Sequence, residues 1–306
     1  MLGSQAMTSH VLEAKGRVIA LDAVPLVMGV LNVTPDSFWE GGRHFSVPAA
    51  VKHACDMVEQ GADLLDIGAE SSRPGSDSIS AEEELRRLLP VLEEVCRRVS
   101  IPVSVDTTKA EVARRALDGG AALVNDISAL RFDPEMGQVV AQKRAGLVLM
   151  HMQGTPKDMQ QAPHYEDVVK EVRSFFEERM RAAAAFGIRP EQILLDPGIG
   201  FGKNLDHNLD LLAHLDTFVR VGPPVLVGVS RKAFIGSALN RHVDERLMGT
   251  AAAVAVAVLR GARVVRVHDV GEMRDVIRMV DAIARRRNRP SPMTVMREKQ
   301  SVKDDR

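Results

Sequence analysis

Met28-Gly-Val-Leu-Asn-Val-Thr-Pro-Asp-Ser-Phe38 sets an apolar run directly against a polar, Pro-containing loop. An unbroken apolar run of this length reads as a strand buried on both faces, the pattern of parallel strands in α/β proteins. Its carboxyl end carries Asn32, Thr34, Asp36 and Ser37, close enough together to reach one ligand. Parallel sheets place their binding groups at that end.

The same pattern recurs along the chain. Residues 25–31, 63–67, 102–106, 122–127, 146–151, 192–196, 224–229 and 263–267 read as strands. Between them, 48–60, 80–98, 108–118, 134–144, 165–186, 204–216, 244–260 and 271–287 carry apolar positions at helical spacing. Gly61, Gly187 and Gly261 sit where helices should stop, and Pro25, Pro102 and Pro224 can open strands without a ladder donor. Strand-then-helix units without a composition break favour a single-domain (β/α)8 TIM barrel, because closure removes both sheet edges. The alternative is a doubly wound open sheet, but no Gly-rich dinucleotide fingerprint follows the first strand. Residues 17–22, Arg-Val-Ile-Ala-Leu-Asp, precede the barrel and predict a short hairpin capping its bottom. The expected organisation is a flexible tail at 1–12, a catalytic barrel at 13–288 and a second flexible tail at 289–306.

With 40 basic against 41 acidic residues among 306, no global charge recruits nucleic acid or an anionic membrane. No apolar stretch is long and charge-free enough to span a bilayer. Only two cysteines occur, Cys55 and Cys96, each inside an amphipathic run, which predicts buried free thiols and a reducing, cytoplasmic setting. No His/Cys cluster suggests zinc or iron.

Asn32, Asp66, Asp106, Asn125-Asp126, His151, Asp196, Ser230 and His268-Asp269 all fall at or just past strand carboxyl ends. In a barrel those ends converge on one mouth. Roughly a third of them are expected only to cap helices or support neighbours, with Asp66, Asp126, His151 and Asp269 the readiest candidates. Arg266 and His268 lie two apart and so share a side of their strand, a pair suited to an anion, although Arg266 can equally pair with Asp126 or Asp269. Lys232 reads as either a ligand donor or a solvated lysine at a helix start.

These segments together carry a resemblance. Met28 to Phe38, Glu70-Ser-Ser-Arg-Pro-Gly75, Ser104-Val-Asp-Thr107, Asn125-Asp126, Asp196-Pro-Gly-Ile-Gly-Phe-Gly-Lys203, Ser230-Arg-Lys232 and Arg266-Val-His-Asp269 resemble, in order, the dihydropteroate synthases of the pterin-binding family. That resemblance implies a folate-pathway transferase. It would condense 6-hydroxymethyl-7,8-dihydropterin diphosphate with 4-aminobenzoate, releasing diphosphate, and would be a sulfonamide target. The resemblance assigns the pterin to Asp106, Asn125, Asp196, Lys232 and Arg266, and the diphosphate to Asn32, Ser72, Arg73, Arg266 and His268. It places Phe38, Pro74 and Lys232 around the aminobenzoate, with Asn32 on Mg²⁺ and Asp36 near the reacting carbon; Asn32, Asp36, Lys232, Arg266 and His268 form the catalytic set. It also implies a homodimer, for which 244–260 and 271–287 can supply apolar faces. Four positions depart from the usual family pattern: Trp39 and Glu40 in the first loop, where a small polar residue and Asp are expected, Ser72 where Thr is common, and Ala233 where some members carry Ser. Two other readings share the constellation, a pterin-binding methyltransferase working with a corrinoid partner and a catalytically silent pterin-binding paralogue.

Overall fold

The computed structural model describes residues 11–34, 39–40 and 44–287. Asp36, Phe38, residues 1–10 of the expected amino-terminal tail and all of the expected carboxyl-terminal tail lie outside these residues.

A hairpin comes first, β1 (Val11–Ala14) antiparallel to β2 (Arg17–Ala20), with Leu12 opposite Ile19. Then follow β3 (Leu26–Asn32), a short antiparallel ladder of β4 (Trp39–Glu40) and β5 (His44–Phe45), α1 (Val47–Glu59), β6 (Leu64–Gly68) and α2 (Ala81–Arg98). Next come β7 (Val103–Asp106), α3 (Ala110–Asp118), β8 (Leu123–Asp126), α4 (Met136–Lys143), β9 (Gly146–Met150) and α5 (Val168–Ala185). The chain continues with β10 (Ile193–Asp196), α6 (Leu205–Ala213), α7 (Asp216–Val219), β11 (Leu226–Gly228), α8 (Ala233–Leu239), α9 (Leu247–Leu259), β12 (Val264–Val267) and α10 (Val270–Arg287).

The 8-stranded sheet runs β10-β9-β8-β7-β6-β3-β12-β11, every neighbour parallel. A parallel bridge between Leu195 and Val225 joins its two ends, so the sheet is a nearly closed barrel. Each barrel strand lies within one or two residues of its expected run. Three helix expectations are corrected. The run at 204–216 holds α6, which ends at Ala213, and a separate α7 begins at its last residue; α9 starts at Leu247, after a 3₁₀ turn at Val243–Glu245; and the short α8 carries no periodic signal of its own. Val11 and Leu12, expected in the tail, open β1, and Leu12 is fully buried.

Local chemistry explains the helix starts. Ser46, Ser80, Asp167 and Asn204 each accept a backbone N–H three residues on, and Glu82, Glu83 and Glu84 place carboxylates at the positive end of α2. Cys55 and Cys96 are free and only half-buried. No described helix is long and apolar enough to cross a membrane.

Strand alternation divides the chain's core in two. Outward-facing Val27, Leu31, Leu65, Ile67, Val105, Val124, Leu147, Leu149, Leu195, Val227 and Val265 pack under the helices. Inward-facing Met28, Leu64, Leu123, Val148, Leu194, Leu226 and Val264 meet Leu12, Ala14 and Leu21 of the hairpin segment and seal the bottom of the barrel. Two residues further along, β6, β8, β10 and β12 place Asp66, Asn125, Asp196 and Arg266 in the interior, and the site begins there.

Candidate active site

One strand period above the apolar plug stand Asp66 on β6, Asn125 on β8, Asp196 on β10 and Arg266 on β12, with Asp106 ending β7. Arg266 donates from Nε to Asp66 Oδ2 at 2.6 Å and from Nη2 to Asp106 Oδ2 at 2.9 Å. Asn125 Nδ2 donates to the same Asp66 oxygen at 2.9 Å. The partners of Arg266 are therefore neither Asp126 nor Asp269. Asp126 accepts from Ser128 and Leu130 and shapes its own turn, while Asp269 holds Arg231 in a bidentate pair at 2.8 and 2.7 Å. Asp66 is fully buried, and its one oxygen orients both Asn125 and Arg266.

Burial works against the charge of Arg266, but Asp66 and Asp106 outweigh it and hold the guanidinium above its ordinary value. Asp106 is pushed upward by burial first and by the nearby Asp66 charge second, with Arg266 opposing. Asp196 is likewise raised by burial, against Lys232 and the Gly198 N–H that donates to its Oδ1 at 2.8 Å. Ile127, Met150 and Met152, with Phe201 packed against them, form an apolar wall beside these groups.

Lys232 is not a solvated lysine. Its Nζ donates to the Ile199 carbonyl and lies 4.7 Å from the centroid of the Phe201 ring, a cation–π contact. Burial brings it down to about 8, against the attraction of Asp196. Arg231, just before it, adopts a left-handed φ of 55° that a branched-chain turn would resist. Three anchors hold it there: its N–H donates to Thr250 Oγ1 at 3.0 Å, its carbonyl accepts from Arg246, and its head is clamped by Asp269. Lys232 is thus aimed by a fixed backbone.

The segment after β10 is pressed onto the segment after β9. A Cβ on Gly198, at φ 66°, would lie 1.9 Å from the His151 carbonyl oxygen, and one on Gly202, at φ 63°, 2.5 Å from that of Gln153. Only glycine permits that approach. Lys203, 3% exposed, closes the contact by hydrogen bonding to His151 Nδ1 at 3.0 Å and to the Phe201 carbonyl at 2.9 Å. Burial holds both Lys203 and His151 well below their ordinary values.

At the rim, His268 is exposed, and its Nδ1 is 3.1 Å from Ser230 Oγ. Desolvation by the neighbouring protein atoms, and then the Arg266 charge, bring it down to about 4. Asn32 ends β3, half-buried, between β6 and β12 in the sheet. Ser72, Arg73 and Pro74 ride the segment between β6 and α2, where Ser76 Oγ donates to the carbonyls of Ser71 and Arg73 at 2.6 and 2.7 Å. The strand-end candidates are therefore gathered around one mouth, with Asp36 and Phe38 outside the described residues. Asp66 supports its neighbours as the sequence reading expected, with Asn125 and Arg266 as the partners. Sequence reading missed the ring of Phe201, although Phe201 lies inside the Asp196–Lys203 segment.

Residues 28–268 match the model of the pterin-binding enzyme family. The chain is 48% identical over 258 residues to a dihydropteroate synthase of Escherichia coli, covering 84% of this chain and 91% of that relative.

The chain belongs to the dihydropteroate synthase family.

Solved structures of dihydropteroate synthases share its architecture. A Xanthomonas albilineans structure with 4-aminobenzoic acid superposes with a TM-score of 0.86 at 47% identity, covering 92% of this chain and 100% of that one. A Yersinia pestis structure in a sulfonamide drug complex gives 0.84 at 43% identity, covering 90% and 99%.

Proposed function

We propose that the barrel mouth joins 6-hydroxymethyl-7,8-dihydropterin diphosphate to 4-aminobenzoate, giving 7,8-dihydropteroate and diphosphate. The observation that carries this reading is the polar layer of Asp66, Asp106, Asn125, Asp196 and Arg266 beside an apolar wall, a site for a flat ring with a hydrogen-bonding edge. Asp196 accepts two parallel N–H groups from the amidine-like pterin edge, and Asp106 and Asn125 meet the remaining polar atoms. Arg266, already planar and clamped by two carboxylates, lies against the ring, and Lys232 donates to the carbonyl and ring-nitrogen side.

The reaction is substitution at the exocyclic methylene. Its C–O bond breaks with the electron pair leaving on diphosphate, a C–N bond forms from the arylamine, and the amine loses a proton. Ser72, Arg73, Asn32, His268 and Arg266 stabilise the departing charge. Asp36 supports positive charge developing on the carbon. Phe38, Pro74 and the Lys232 stem wall the aminobenzoate. No described group of three or more acidic, His or Cys side chains builds a metal cage. A single Asn32 amide oxygen at the rim suits a hard cation held mainly by phosphate and water, and Mg²⁺ bound there would neutralise the leaving diphosphate.

A cytoplasmic homodimer completes the reading. Met248, Val256 and Leu259 on α9, and Met279 and Ile283 on α10, are exposed apolar side chains available to a second copy.

The test is turnover with both substrates and Mg²⁺, followed by diphosphate release. Product formation that stops on chelation and is restored by Mg²⁺ supports it. Tight pterin binding without turnover would favour the silent paralogue that Trp39 and Ala233 suggest.

A further inference from the structure

Twelve residues, Ala69 to Ser80, connect β6 to α2 without helix or strand, and they carry Ser72, Arg73 and Pro74. Side chains on such a segment hold one geometry only if its base is pinned. The tip is already a unit, because Ser76 bonds back to Ser71 and Arg73 and the Ser76 N–H donates to the Arg73 carbonyl at 3.1 Å. Movement must therefore occur at the base. There, Glu70 Oε1 accepts the Ile79 N–H at 2.7 Å, so one carboxylate ties together the two ends of the segment.

The other Glu70 oxygen accepts from Lys109 Nζ at 2.8 Å, and Lys109 also donates to Glu84 at 2.7 Å. The triad is sheltered: Glu84 is fully buried, and the Glu70 and Lys109 side chains are 19% and 23% exposed. The outer fastening is weaker, a 2.9 Å bond from Gly75 N–H to the Pro156 carbonyl and an Asp77–Lys157 pair that is 80% and 74% exposed. Lys109 stands three residues beyond Asp106, at the start of α3. A single ammonium thus joins the strand end facing the pterin to the segment reaching over the second substrate. Without it, two sheltered carboxylates would face each other and the base would open.

We propose that Lys109 is a positioning residue that, through Glu70 and Glu84, fixes the segment bearing Ser72, Arg73 and Pro74 and so sets affinity for 4-aminobenzoate and its sulfonamide mimics without touching them. This rests on the functional reading above.

The test compares Lys109→Met, Lys109→Arg and Glu70→Gln with the wild-type chain. Calorimetry measures 6-hydroxymethylpterin alone, then sulfathiazole in the presence of pterin and Mg²⁺-diphosphate. Steady-state kinetics gives KM for 4-aminobenzoate, and hydrogen exchange follows amides 70–80. Lys109→Met should weaken sulfathiazole and raise that KM by about tenfold or more, as expected for misplaced contacts, while pterin affinity stays within about twofold. Exchange at 70–80 should accelerate, and Lys109→Arg should restore most of the loss. Should Lys109→Met not fold, Glu70→Gln, which leaves the Lys109–Glu84 pair intact, must show the same split. Equal losses for pterin and sulfathiazole, or unchanged affinity and exchange, would overturn the proposal. Inactive wild-type protein would instead refute the functional reading, and the exchange result would still decide the latch.

Discussion

Lys232→Met should remove activity and yet stabilise the fold near neutral pH. The lysine is half-buried against Phe201 and the Ile199 carbonyl, and burial lowers it from 10.5 to about 8. That depression amounts to roughly 3 kcal/mol of bias against the charged form. Partial exposure lets water screen the charge, so a stability difference of about 1–2 kcal/mol is the reasonable expectation. Met keeps the length of the stem beside Gly200, where a Cβ would lie 3.2 Å from Lys232 Cδ, and forfeits the cation–π contact, one hydrogen bond and the attraction to Asp196, which offsets part of the gain.

The sign follows from linkage. Below about pH 8 the lysine is protonated in both folded and unfolded chains, and the whole penalty is present. Between about 8 and 10.5 the folded chain sheds the proton first, so wild-type stability rises relative to the variant. The advantage of Lys232→Met should therefore be full at pH 7 and fade toward pH 10.5. Urea unfolding of both proteins at pH 7, 8, 9 and 10, followed by far-UV circular dichroism, reads this, since groups remote from Lys232 cancel. Turnover by the variant should fall at least about a hundredfold if the ammonium donates to the pterin. A variant less stable at pH 7, or a difference that does not change with pH, would refute the reasoning and mean that Phe201 and Ile199 stabilise the ion.

Two further outcomes test the segment after β10. Asp196→Asn exchanges a double acceptor for a group that also donates, and should weaken pterin binding by about 2–5 kcal/mol in calorimetry; near wild-type affinity in a folded variant would end that assignment. Gly198→Ala forces a Cβ toward the His151 carbonyl at a positive φ, and should lower stability by about 2–4 kcal/mol. An unshifted urea midpoint would show that the β9 and β10 segments can part without cost.

Most of the barrel was legible because its strands are buried on both faces, and burial writes an unbroken apolar run. Helix faces were legible for the same reason, at their own period. What escaped depended on distant partners. Nothing local in Leu64-Leu65-Asp66-Ile67-Gly68 says that Asp66 receives a guanidinium from a residue 200 positions on. The competing pairs, Asp126 and Asp269, lay equally near strand ends and differed only in having closer work to do. The short α8 and β1 were too brief for periodicity. The family motifs single out Asp196, Lys232 and Arg266 as candidates, but only the fold shows that Lys232 is aimed by a left-handed Arg231 and that the two carboxylates on Arg266 are different in kind, one buried and one facing the mouth.

The axis of the barrel also explains why so charged a layer is tolerated. Below it, Met28, Leu64, Leu123, Val148, Leu194, Leu226 and Val264, with Leu12 and Leu21, fill the bottom of the barrel with apolar side chains. The carboxylates of Asp66 and Asp106 are therefore compensated from one side, by Arg266 and Asn125, and Asp196 by Lys232 and the Gly198 N–H. Low polarizability beneath them strengthens each of these bonds and raises the cost of any unmatched group. A ring that supplies donors to Asp196 and Asp106 together relieves the burial penalty on both, whereas one that supplies acceptors adds to it. Selection for a donor-bearing edge thus comes from the apolar plug and the polar layer acting together, and replacing residues of the plug by polar ones would blunt it without touching a single ligand contact.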